Sequence, residues 1–67
     1  MLLGEVRRFR EDTLARTHHS TVCGKYFMII SRPDSNSFVD IMIDGEISHD
    51  WPVDFIAEES EVIDEAR

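Results

Sequence analysis

Three histidines and one cysteine are the residues of this 67-residue chain best suited to chemistry. His18, His19 and Cys23 lie close together and His49 stands apart. As a set they have the nitrogen and sulfur donors of a tetrahedral zinc site. Their spacing matches no paired-cysteine motif, so neither a metal nor another cofactor is assigned. Cys23, His49 and an aspartate also have the residue types of a nucleophile, its base and an orienting group. Such a site needs a neighbour that lowers the thiol pKa and an oxyanion pocket besides, and so short a chain leaves little scaffold for both. The expectation is a protein that is not an enzyme.

Binding residues are more plentiful. Arg7, Arg8 and Arg10, with Tyr26 and Phe27, have the guanidinium and stacking groups of a nucleic-acid surface. Arginines on an edge strand equally prevent unwanted strand pairing. The net charge of −7 opposes a polyanion, because non-specific affinity depends on neutralising phosphates. Up to Arg32 six cations meet three carboxylates, a balance of +3; from Pro33 onward one cation meets eleven carboxylates, a balance of −10. Asp50, Asp54, Glu58, Glu59, Glu61, Asp64 and Glu65 crowd the end, either as a solvating segment or as an anionic surface that steers a basic partner. Trp51, the single tryptophan, suits either core packing with Phe38, Phe55 and Tyr26 or a partly exposed recognition groove. The candidate partner-binding residues are therefore His18, His19, Trp51, Asp54, Glu58, Glu59 and Glu61.

Length and composition bound the scaffold that holds them. The chain is read as one domain, residues 1–67, with an acidic segment from about residue 58. A domain this short buries only about 60% of its unfolded surface. At ~0.05–0.15 kcal/mol per residue its stability comes to roughly 3–10 kcal/mol. One cysteine excludes an internal disulfide and suits a reducing cytosol. Met1-Leu2-Leu3 is too short for the apolar region of a signal peptide, and no apolar run approaches the ~20 residues that cross a bilayer. A cytoplasmic domain without a membrane role is expected.

Five strands are predicted. Leu2 to Arg10 reads as the first, with the faces of Val6 and Phe9 left open by their odd spacing. Glu11 to Gly24 is polar and reads as a long loop, a feature often functional. Tyr26 to Ile30 is the second strand, ended by the breaker segment from Arg32 to Ser37. Phe38 to Ile43 and Glu46 to Trp51 flank Asp44-Gly45, a strong hairpin signal. A two-residue loop would set Ile41 against Ser48. A three-residue loop with a bulge at Gly45 sets Ile41 against Ile47 and Val39 against His49, with Trp51 on the same side. That register, which gathers the aliphatics on one face, is the one expected. Val53 to Ala57 reads as one 3₁₀ turn, and Ser60 to Asp64 as a short closing strand.

This order resembles the small SH3-like barrel proteins of tailed bacteriophages, relatives in architecture of KOW-type barrels. The residues that carry the resemblance are Gly4-Glu5-Val6-Arg7, Gly24 to Ile30, Val39 to Gly45, Trp51, and Ser60-Glu61-Val62-Ile63. It implies an all-β fold, a five-stranded, mostly antiparallel SH3-like barrel with a long loop after the first strand. It further implies a non-enzymatic phage accessory protein in the host cytoplasm that binds a host or phage protein through its acidic and aromatic surface. A KOW-like barrel binding nucleic acid through Arg7, Arg8 and Arg10, and a small virion structural protein, are the alternatives. Self-association through a strand edge is left open.

Overall fold

The computed structural model describes residues 3–11 and 22–64. Five strands and one helix follow one another as β1 (Val6–Phe9), β2 (Tyr26–Ile29), β3 (Phe38–Ile43), β4 (Glu46–Pro52), α1 (Val53–Glu59) and β5 (Ser60–Asp64). They form one antiparallel sheet in the order β4-β3-β2-β1-β5. The sheet is open, with β4 and β5 at its two edges. All five expected strands are present. The loop expected between the first two falls mostly on residues 12–21, outside the described residues.

The β3–β4 hairpin corrects the expected register. Asp44 and Gly45 both take positive φ, 56° and 76°, as a two-residue type I′ turn requires. Ile43 therefore pairs with Glu46, Met42 with Ile47 and Ile41 with Ser48. Ile41 is fully buried while Ile47 is exposed on the other face. The bulge exists, but at the far end of the hairpin, where the register shifts between Val39 and Ile41. There Asp50 turns left-handed, φ 63°, and its N–H donates to Asp40 Oδ1 at 3.2 Å. An Asp or Asn tolerates that backbone better than other non-glycine residues. The extra residue returns Trp51 to the buried face, opposite Val39. The bulge thus rescues the core at residue 50, and the turn keeps the twist that a hairpin favours.

Alternation explains which side chains are inside. Phe9, Phe27, Ile29, Val39, Ile41, Ile43 and Trp51 share the inner face, and Ile56 of α1 closes over them. Phe9 stacks on Phe27 with ring centroids 4.3 Å apart, and Trp51 lies 5.4 Å from Phe9 and 5.8 Å from Phe55. The expected aromatic cluster is corrected in part. Phe55 joins it, whereas Tyr26 is exposed on the opposite side of the sheet. The indole N–H of Trp51 donates to Ser48 Oγ at 2.7 Å, which gives the polar residue on the inner face of β4 a partner.

A seven-residue α-helix, rather than one 3₁₀ turn, spans Val53–Glu59. Pro52 presets its entry, and Val53 N–H donates to the Ser37 carbonyl at 2.9 Å. Val53, Ile56 and Glu59 recur at a spacing of three along the side turned to the core. Below its end lies a buried polar knot. Arg7, on the inner face with Phe9, meets Glu5 Oε1 at 2.6 Å, Ser60 Oγ at 2.7 Å and the Ser60 carbonyl at 3.1 Å. Ser60 Oγ in turn donates to the Ile56 carbonyl. The guanidinium ties β1 to β5 and to the end of α1.

Candidate functional site

Two surfaces are built by these elements. The first is the outer face of the sheet, where the register aligns one apolar row across four strands. Val6 pairs with Met28, Met28 with Met42 and Met42 with Ile47. Asp64 continues the row on β5, opposite Val6. Along β3 the outward positions alternate Asp40, Met42 and then Asp44 of the turn, so carboxylates flank Met42 on both sides. Lys25 pairs with Asp44, and His49 Nδ1 lies 3.3 Å from Asp40 Oδ2. The neighbouring row places Tyr26 beside Arg8 and Arg8 beside Glu61.

The second surface runs over α1 and β5. Asp54 and Glu58 are exposed on the helix, and Glu61 and Asp64 on the following strand. No ion pair engages any of these four carboxylates among the described residues. Glu59 does not join them. It is buried, its backbone carbonyl accepting from Arg10 N–H at 2.9 Å. The reason is helical spacing, since Glu59 is three residues beyond Ile56 and shares its inward side.

The arginines are likewise divided. Arg7 is buried in the polar knot, because it alternates inward with Phe9, and it leaves the surface set. Arg8 points outward, its guanidinium 5.8 Å from the Tyr26 ring centroid. It donates to the Gly24 carbonyl at 3.1 Å and to Glu11 at 3.0 Å. Arg8 and exposed Arg10 line an open cleft of about 410 Å³ with Phe9, Glu11 and Glu61. Two carboxylates in that lining offset the two guanidinium groups. Phe27 is in the core and offers no stacking surface.

Of the two roles expected for Trp51, the structure shows core packing, against Phe9, Phe55 and Ser48, and Trp51 leaves the candidate binding residues. His18 and His19 lie outside the described residues. Cys23 sits in the turn before β2, while His49 lies on β4 near the opposite end of that strand, so the sheet does not bring thiol and imidazole together. Among the described residues no group of three or more His, Cys, Asp or Glu side chains is arranged to hold a metal ion. No described helix is long and apolar enough to cross a membrane.

The sequence reading missed the outer apolar row and the buried knot. Both had a signal. Glu5, Arg7 and Phe9 share one parity, and Met28, Met42 and Ile47 share the parity opposite to the core once the turn has two residues. Comparison with protein-family models, with curated proteins and with solved structures finds no match.

Proposed function

We propose that this chain is a non-catalytic binding module of the SH3-like barrel class that recognises another protein through its acidic surface. The strand pairing supports the barrel reading. In a closed five-stranded meander the last strand returns beside the first, and here β5 pairs with β1. Among the described residues β4 and β5 share no ladder, and α1 connects them. The single observation that carries the binding reading is the group of Asp54, Glu58, Glu61 and Asp64, exposed on consecutive elements and without ion-pair partners among the described residues. Carboxylates so placed steer a cationic partner and raise its association rate. The resemblance to phage barrels makes the partner a host or phage protein and the compartment the host cytoplasm.

The test is affinity capture from host lysate followed by association kinetics with the captured protein. Asp54→Asn, Glu58→Gln and Glu61→Gln together slow association several-fold at low salt, with a smaller effect at high salt. An on-rate that is unchanged at low salt refutes steering. The nucleic-acid alternative now rests on Arg8 and Arg10 alone, beside exposed Tyr26. A salt-dependent shift of a single-stranded oligonucleotide, lost in Arg8→Gln/Arg10→Gln, would favour it over the protein-binding reading.

A further inference from the structure

The outer face carries an apolar patch that the core does not use. Met28, Met42 and Ile47 of the row, with Tyr26 of the neighbouring row, are 42, 36, 54 and 60% exposed, although each lies in a strand whose opposite face is core. On ordinary side-chain areas they present roughly 400 Å², in the ~300–600 Å² range of the largest and often functional patch of a monomer. Methionine suits such a surface, since an unbranched thioether adapts to what covers it.

Charge decides between occupants. A second copy carries the same net charge of −7 and sets like charge against like. Around the row stand Asp40, Asp44 and Asp64, with Glu61 one row away, against Lys25 paired with Asp44, Arg8 paired with Glu11 and His49 beside Asp40, so carboxylates still outnumber the cations. An anionic lipid surface or a nucleic acid meets the wrong sign there. From β4 to β1 the row covers three inter-strand steps, ~14 Å at ~4.8 Å each. A helix with apolar residues at i, i+4 and i+7 places its anchors over ~10 Å and carries cations beside them.

We propose that the sheet's outer face docks a cationic amphipathic helix of the partner protein. Its apolar side rests on Met28, Met42 and Ile47, and its Lys or Arg residues face Asp40, Asp44 and Asp64. This rests on the protein-binding reading above and adds to it the site and the partner's chemistry.

The experiment uses the full chain with ¹³C-labelled methionine methyls and three synthetic peptides of about 14 residues. One is a Leu/Lys amphipathic helix, the second its Leu/Glu counterpart, and the third a Lys-rich scramble without an apolar side. The Leu/Lys peptide is expected to shift the Met28 and Met42 methyl signals together, and the other two to bind at least tenfold more weakly. Met42→Lys and, separately, Ile47→Thr each weaken the Leu/Lys peptide by tenfold or more with the circular dichroism unchanged. Equal binding by the scramble, or methyl signals left unmoved by the Leu/Lys peptide, overturns the proposal. If that peptide instead shifts only the amides of Asp54, Glu58 and Glu61, the sheet-face site falls while the protein-binding reading stands. Methyl shifts caused by anionic vesicles or an oligonucleotide overturn the assigned occupant.

Discussion

Replacing Glu5 by leucine strands the Arg7 guanidinium. Both side chains are nearly dry, 7% and 10% exposed, and the Glu5 carboxylate lies 2.6 Å from the Arg7 guanidinium. The two Ser60 oxygens stay in place but bring no negative charge. Removing one member of a buried pair leaves an uncompensated charge and costs roughly 3–5 kcal/mol. That rivals the whole stability expected of a chain this length, ~3–10 kcal/mol. At ~4–8 °C per kcal/mol, the melting temperature falls by about 12 °C or more. Glu5→Leu/Arg7→Met removes both charges and fills the space with apolar atoms, so the double variant recovers most of the loss. Urea denaturation followed by Trp51 fluorescence at all four corners of the cycle measures the coupling. A Glu5→Leu cost below about 0.5 kcal/mol, or two single losses that simply add, would show that the knot does not hold β5 to β1.

Two further substitutions probe the backbone. Gly45→Val forces a β-branched residue to φ 76° where no atom lies within 4 Å of the added Cβ, so it costs about 1–2 kcal/mol through strain alone, while Gly45→Asn costs less; denaturation midpoints rank them. Asp34→Ala removes the acceptor of the Asn36 and Phe38 N–H groups, 2.8 and 3.0 Å away, and lowers stability by about 1–2 kcal/mol in the same assay.

Local patterns carried most of the fold. Phe38 to Ile43 alternates cleanly between faces, and Asp44-Gly45 names its own turn, so β3, the hairpin and its ends were legible. The register was not, because it turned on where one extra residue goes. A bulge at Gly45 and a bulge beside Asp50 both bring Trp51 and Val39 to one face, and they differ in whether Ile47 and His49 or Ser48 turn to the core. Parity arguments favoured burying that isoleucine. The turn's preference for positive φ at both central residues outweighed it, and Ile47 was left outside. The acidic surface was legible from Asp54, Glu58 and Glu61 as charges. Glu59 was not separable from them until the helix gave it the side of Ile56. Arg7 was hidden for a like reason, since three arginines in four residues read as one patch although a strand sends alternate side chains to opposite faces.

The outward placement of Ile47 beside Met42 decides which surface the protein presents. Side-chain nuclear Overhauser contacts across the hairpin measure it directly. The structure predicts strong Met42–Ile47 and Val39–Trp51 contacts, with none between Ile41 and Ile47. Strong Ile41–Ile47 contacts without Met42–Ile47 would put the bulge back at Gly45, bury Ile47 and remove the apolar row on which the docking face depends.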